Sequence, residues 1–170
     1  LGLLRRRLPL PQQGRGRPMS DSGPCVFVDT TVLLYSEDQA DPNRQRRALA
    51  WLRELWQRRT GRISTQVLDD FYLLATQRIQ PPMPAGDARA EVRRYQLWQP
   101  WQTDRATVES AWALESRHGL HYRDCLIVAA AQHLGCRYLL SGELPEGQHY
   151  GAVQTIHPTT ASVSLLGPLP

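Results

Sequence analysis

The chain has 170 residues, of which 41% are hydrophobic, and this length suits one domain with a continuous hydrophobic core. It contains no apolar run of about 18 residues, so we predict no membrane-spanning helix. All 20 basic residues are arginine. Five of them precede Met19, which leaves 15 arginines against 16 acidic residues in the rest of the chain. The net charge of +4 therefore arises in the amino-terminal segment, which excludes a uniformly basic domain for the remainder.

Residues 1–22 are predicted to be a disordered extension. They are rich in Arg, Pro, Gly and Gln. They also lack the apolar core of a signal peptide, and Pro9 and Pro11 interrupt any amphipathic helix. Met19 and the Ser-Asp-Ser-Gly-Pro that follows it resemble a natural start, whereas a basic RNA-contacting arm is the alternative interpretation.

The cysteines, Cys25, Cys125 and Cys136, lie within or beside apolar runs. Their spacing is not that of zinc ligands. An odd number of cysteines without a signal peptide fits a reducing cytoplasm. We therefore predict a cytoplasmic protein in which these residues serve as small packing groups.

Strand and helix patterns alternate from the first apolar run onward. Residues 25–28 are typical of a strand buried on both faces, and residues 31–35 can open a helix or turn. Asp41 followed by proline predicts a helix start, and Gly61 is expected to end that helix. Residues 62–64 then form a brief extended segment.

Three more helices follow in the middle of the chain. Ser64 or Thr65 can cap the first of them, and the next is predicted over residues 87–98. Asp104 can cap the third, which Gly119 ends.

The carboxyl-terminal part shows the clearest alternation. Asp124 opens an apolar helix that Gly135 ends, and residues 137–140 and 153–156 are predicted strands. These patterns predict an α/β fold with three layers, α/β/α, around a mainly parallel central sheet.

Four carboxylates stand at strand ends and on helices of this predicted fold: Asp29, Asp70, Asp124 and Glu143. The ligand crevice of an open parallel sheet lies outside the carboxyl ends of its strands, where all four can meet. Their mutual repulsion would require a divalent cation. This pattern indicates a metal-dependent phosphodiester site, in which the cation activates a water molecule.

Each acid also has a structural interpretation. Asp29 and Asp124 could cap helices, and Glu143 could be an ordinary acid of a surface loop. Asp70 has Asp69 as its neighbour, and the two point about 100° apart on a helix. We prefer Asp70 because it lies nearer the apolar stripe of its helix.

The order of these residues resembles the PIN domain, and most closely the VapC-type toxin ribonucleases. The resemblance covers about residues 25–158 and rests on three segments in particular. They are Val26-Phe27-Val28-Asp29-Thr30, Ile63-Ser64-Thr65-Gln66-Val67-Leu68-Asp69-Asp70-Phe71-Tyr72 and Tyr122-Arg123-Asp124-Cys125-Leu126-Ile127-Val128-Ala129-Ala130-Ala131.

The resemblance implies a PIN-like nuclease domain over residues 23–165 with a Rossmann-like sheet. It implies an endoribonuclease that uses Mg²⁺ or Mn²⁺, the toxin of a type II toxin–antitoxin pair. RNA would be its substrate, a cognate antitoxin its partner, and a homodimer its assembly. The four acids would be the catalytic, metal-holding residues, with Thr30 and Ser141 as supporting hydroxyls.

Several positions depart from the usual pattern of the family. Thr31 stands where Asn is common, Asp70 where Glu is usual, and Glu143 where Asp is common. These departures leave open a degenerate PIN domain that binds RNA or a protein without catalysis. A haloacid-dehalogenase-like phosphatase is disfavoured for two reasons. The second acid of such an enzyme would stand at position 31, which is occupied by Thr31, and its usual basic partner is a lysine, which this sequence lacks.

The five tryptophans offer a base-stacking interpretation, but we expect most of them to serve other roles. Trp56 and Trp112 fit apolar stripes and are predicted to pack in the core. Trp98 and Trp101 are candidates for an exposed dimer or antitoxin surface.

Overall fold

A computed structural model describes residues 23–169 and has the predicted α/β architecture, built on one five-stranded sheet. Its strands are β1 (Val26–Val28), β2 (Gly61–Arg62), β3 (Tyr138–Leu140), β4 (His149–Tyr150) and β5 (Val153–Ile156). They lie in the order β2-β1-β3-β5-β4. All neighbouring pairs are parallel except β4 and β5, so the prediction of a mainly parallel sheet is confirmed. The extension predicted over residues 1–22 lies outside the described residues.

Six α-helices complete the three-layer α/β/α arrangement of the described chain. They are α1 (Thr30–Glu37), α2 (Pro42–Arg58), α3 (Thr65–Gln77), α4 (Ala85–Tyr95), α5 (Arg105–His118) and α6 (Tyr122–His133). Two short 3-10 helices, Gln96–Trp98 and Val163–Leu166, follow α4 and β5. None of the helices described is long and apolar enough to cross a membrane.

Side-chain caps set the starts of several helices as the sequence predicts. Asp41 accepts from the amide of Arg44, and Ser64 accepts from the amide of Val67. Asp104 caps α5, and Gly119 ends that helix in the left-handed conformation, with φ of +65°. Each cap satisfies a backbone group that the helix leaves without a partner.

The hydrophobic core lies between the sheet and the helices. Every residue of β1 and β3 is buried, as expected for strands covered on both faces. The small residues Ala129–Ala131 of α6 are buried as well, which permits close helix–sheet packing. Cys125 and Cys136 are buried packing residues as predicted, whereas Cys25 is half-buried.

The helix end predicted at Gly61 is wrong. The helix α2 stops at Arg58, and Arg59 takes the left-handed conformation with φ of +60°. Gly61 instead belongs to β2, where the ring of Trp98 lies against its Cα. A side chain there would enter the indole ring, so close packing accounts for this glycine.

The tryptophan predictions are partly wrong. Trp56 is buried, but Trp112 is 51% exposed, because it lies one position beyond the buried Ala111 and therefore faces away from the core. Trp98 is half-buried against Trp56 and Tyr95 rather than fully exposed.

Trp101 is also half-buried. It stacks on His133 and donates a 3.0 Å hydrogen bond to Thr107. Both tryptophans beside Pro100 are thus engaged in internal packing. The short strand β4 was not predicted, since two residues carry no alternating pattern.

Candidate active site

Asp29 lies at the carboxyl edge of the sheet, immediately after β1 and before α1. Its backbone is extended, and one carboxylate oxygen accepts a 2.8 Å hydrogen bond from the amide of Thr30. The other oxygen accepts a 2.7 Å hydrogen bond from the hydroxyl of Ser141. The residue is only 7% exposed. Asp29 therefore combines the capping role with a fixed position in a buried setting.

The surroundings of Asp29 favour its protonated form. Burial raises its pKa from the ordinary value of 3.8 to about 6, against the opposing effect of the bonds from Ser141 and Thr30. The negative charges of Asp124 and Glu143 raise the pKa further. Repulsion of this kind requires the carboxylates to be near one another. Three of the four predicted acids thus share one electrostatic environment.

Asp124 lies in the first turn of α6 and is half-buried. The helix begins after His121, so Asp124 is not at the capping position. Burial raises the pKa of Asp124, while the charges of His121 and Arg123 act in the opposite direction. Asp124 therefore lies at the amino-terminal end of a helix, where negative charge is favoured, and its charge acts on Asp29.

Asp70 is held by Arg123 on the neighbouring helix. The guanidinium of Arg123 donates to its carboxylate in an ion pair that joins α3 to α6. One turn earlier in α3, the side-chain amide of Gln66 donates a 3.2 Å hydrogen bond to the backbone carbonyl of Arg123. Asp69 is exposed and makes neither contact. The carboxylate of Asp70, rather than that of Asp69, thus points toward the turn that carries Asp124.

Glu143 is exposed, but the loop that carries it is fixed to the crevice. The hydroxyl of Ser141 accepts from the amides of Glu143 and Leu144, at 3.2 and 3.1 Å. The hydroxyl of Thr31 accepts a 2.8 Å hydrogen bond from the amide of Gly142. The same Ser141 hydroxyl therefore links Asp29 to the start of the Glu143 loop.

An aromatic residue also shapes this loop. The hydroxyl of Tyr35 donates to the carbonyl of Gly142 at 3.5 Å, and its ring occupies the space that a side chain at Gly142 would need. Arg44 in turn stacks over Tyr35, with 4.2 Å from its guanidinium carbon to the ring centroid. The glycine in Ser141-Gly142-Glu143 was the signal in the sequence that could have indicated a close neighbour.

The supporting residues are only partly as predicted. Ser141 contacts Asp29 directly, whereas the contact from Thr30 to Asp29 is made by its backbone amide. Sequence reasoning missed the roles of Arg123 and Tyr35. Both lie more than 50 residues from their partners in sequence, so no local pattern indicates the contacts.

The donor chemistry of this crevice suits a hard divalent cation, because all four acids offer carboxylate oxygens. Asp29, Asp124 and Glu143 concentrate negative charge around a buried position, which is what such a cation neutralises. Among residues 23–169, however, no three His, Cys, Asp or Glu side chains are close enough to form a preformed metal-binding group. The carboxylates therefore suit a divalent cation in donor type and in charge, but in this structure their side chains do not form a preformed binding site.

Comparison with known proteins agrees with this architecture. The model of the PIN domain family matches residues 26–143, so the chain belongs to the PIN domain family. No curated protein sequence matches the chain.

Among solved structures, the chain is similar to Mycobacterium tuberculosis VapC20, described as a toxin that cleaves the sarcin–ricin loop. The TM-score is 0.55 at 21% sequence identity, over 69% of this chain and 91% of VapC20. At this identity the likeness establishes the common fold.

Proposed function

We propose that this protein is a VapC-type endoribonuclease, the toxin of a type II toxin–antitoxin pair, which hydrolyses RNA phosphodiester bonds with Mg²⁺ or Mn²⁺. The observation that carries the proposal is the position of Asp29. It is buried at the carboxyl edge of a parallel sheet, and the charges of Asp124 and Glu143 act on it. An unneutralised group of acids in this position is typical of a cation-dependent site.

Asp29, Asp124 and Glu143 would hold the divalent cation. When bound, the cation supplies the positive charge that activates water and stabilises the negative charge of the transition state. The chain itself holds the Asp29 carboxylate in a fixed position. Ser141 and the amide of Thr30 each bind one oxygen of Asp29, so this carboxylate has little freedom to turn. Such fixed geometry lowers the reorganisation that the reaction requires.

Asp70 stays a predicted fourth acid of the site, with its carboxylate engaged by Arg123. Thr30 stays a predicted supporting hydroxyl. We also propose a cognate antitoxin, a homodimer and a cytoplasmic location, all by analogy with VapC-type toxins.

A second candidate function is a degenerate PIN domain that binds RNA or a protein without cutting RNA. Two observations favour it. Asp70 is already ion-paired, and residues 23–169 contain no preformed group of three metal ligands. The two functions differ in whether RNA is cleaved.

The test is an RNA cleavage assay with the purified full chain. Total bacterial RNA and a sarcin–ricin loop hairpin are incubated with Mg²⁺, Mn²⁺ or EDTA, and new RNA ends are mapped by sequencing. We expect cation-dependent cuts at defined positions that the Asp29→Asn variant loses by about 100-fold or more.

The matched control is Asp69→Asn, which removes an exposed acid of α3 and should retain activity. Cutting by Asp29→Asn at the wild-type rate would contradict the proposed site. RNA binding without cuts, under any of the cations, would support the second candidate.

A further inference from the structure

The side chain of Arg123 contacts Asp70, one of the predicted acids of the site. It directly precedes Asp124 in α6, and its guanidinium binds Asp70 of α3. Its positive charge also lowers the pKa of Asp124. Arg123 therefore acts on two of the four acids, from a position between their helices.

The ion pair changes the charge balance of the crevice. The four acids carry four negative charges, and Arg123 neutralises the one on Asp70. The remaining three are those of Asp29, Asp124 and Glu143, and the charges of Asp124 and Glu143 act on Asp29. The carboxylate of Asp70 is engaged by the guanidinium of Arg123, whereas that of Asp29 is bound by Ser141 and by the amide of Thr30. The site thus divides into a group of three acids and a separate Asp70–Arg123 pair.

The guanidinium remains accessible although it is paired. The side chain of Arg123 is 66% exposed, and the contact with Asp70 uses only its Nη2 end. Arginine presents five donors in a planar fork, which suits simultaneous binding of a carboxylate and a phosphate. Asp70 is 25% exposed and is tied to α3, so it restricts where the guanidinium can lie.

We propose that Arg123 takes the place of a second cation in this site and binds a backbone phosphate of the RNA, with Asp70 as its positioning residue rather than as a metal ligand. The inference rests on the proposed nuclease function and deepens it. It assigns one divalent cation to Asp29, Asp124 and Glu143, and it explains why the shorter Asp suffices at position 70. An aspartate has only to reach Arg123 on the adjoining helix.

The first test counts Mn²⁺ ions by the electron paramagnetic resonance signal of free Mn²⁺ during titration of the full chain. We expect one ion per wild-type chain. The neighbour control Asp69→Asn should bind Mn²⁺ with unchanged affinity. Asp29→Asn should lose about tenfold or more, and Asp70→Asn should lose clearly less than Asp29→Asn.

Two ions per wild-type chain, or a loss in Asp70→Asn equal to that in Asp29→Asn, would overturn the inference alone. Failure of the wild-type chain to bind any Mn²⁺ would overturn the proposed function together with it. The two failures are therefore distinguishable.

The second test measures RNA binding by fluorescence anisotropy of a labelled sarcin–ricin loop hairpin. The Asp29→Asn background prevents cleavage, and Arg123→Gln is compared with Arg137→Gln in that background. Arg137 precedes β3 and lies at the opposite edge of the sheet, so it provides a matched loss of charge.

Loss of one phosphate contact should reduce the slope of log Kobs against log salt by about 0.7–0.9. We expect this reduction for Arg123→Gln and an unchanged slope for Arg137→Gln. Equal slopes in the two variants would overturn the phosphate role. Circular dichroism of both variants confirms that the comparison is made between folded proteins.

Discussion

The hydroxyl of Ser141 donates a 2.7 Å hydrogen bond to the carboxylate of Asp29, a residue 112 positions earlier in the chain. The register of the sheet explains the contact. Val28 pairs with Leu140 in the parallel strands β1 and β3, so the next residue of each strand leaves the sheet at the same point. The buried strands β1 and β3 thereby place the carboxylate of Asp29 beside the hydroxyl of Ser141. The fold creates the core of the site from two segments that have no local connection.

Replacement of Ser141 by alanine is expected to destabilise the protein by about 1–3 kcal/mol. The change removes the donor to buried Asp29 and the acceptor for the amides of Glu143 and Leu144. It should also raise the pKa of Asp29 further, because the lost bond lowers it. Urea unfolding at pH 7.5 measures the stability. The exposed Ser116→Ala is the control, and equal stability of the two variants would contradict this role of Ser141.

Asp29 is expected to make folding less favourable as the pH rises from about 4 to about 6. Its pKa is 3.8 ordinarily and about 6 in the folded protein, so over this interval the folded state holds a proton that the unfolded state has lost. Stability from this group is present below pH 4 and falls by about 3 kcal/mol once pH exceeds 6. Asp29→Asn lacks this titration.

The measurement is the difference in unfolding free energy between wild type and Asp29→Asn, at several pH values without divalent cations. We expect the unfolding free energy of Asp29→Asn to increase relative to that of the wild type as the pH increases. A difference that is constant from pH 4 to pH 7 would show that burial and repulsion do not act on Asp29 in this way.

Local patterns were sufficient to predict most elements of the fold. Ser64, Asp104 and Gly119 mark helix ends through backbone preferences and capping bonds, which depend on neighbours in sequence. The prediction failed at Gly61, where the reason for glycine is a tryptophan ring 37 residues away. It failed again at Trp112, because an apolar residue type does not by itself define the buried face.

The acids of the candidate site could be predicted, but their partners could not. Asp29 and Asp124 follow from the general rule that parallel strands and helix starts meet at one edge of a sheet. The pairing of Asp70 with Arg123 depends on how two helices pack, and it changes what Asp70 is available to do. The position of the Glu143 loop likewise depends on Tyr35, and no sequence pattern indicates that Tyr35 contacts this loop.

Replacement of Gly142 by alanine is expected to displace the loop that carries Glu143. The new Cβ would enter the ring of Tyr35, over which the guanidinium of Arg44 stacks. We expect a loss of about 1–3 kcal/mol in stability from overpacking, together with weaker Mn²⁺ binding. Gly86→Ala on α4 is the matched control, since its Cβ would meet nothing within 4 Å.

A double-mutant cycle with Tyr35→Ala isolates the contact. Removal of the ring should relieve most of the cost of Gly142→Ala, which gives a coupling energy of about 0.5–3 kcal/mol. Additive effects of the two changes would mean that Gly142 is required for a reason other than Tyr35.

Mn²⁺ is expected to stabilise the folded protein through the same acids that destabilise it when they are charged. A ligand that binds only the folded state at 100 times its dissociation constant adds about 2.7 kcal/mol. For a chain of this size, that corresponds to a rise in Tm of about 5–10 °C. The rise should be lost in Asp29→Asn, retained in Asp69→Asn, and reversed by EDTA.

Asp38 and Asp41, which both contact Arg44, form another acidic neighbourhood. An equal rise in Asp29→Asn would place the cation at such a surface and remove the physical basis for catalysis at Asp29.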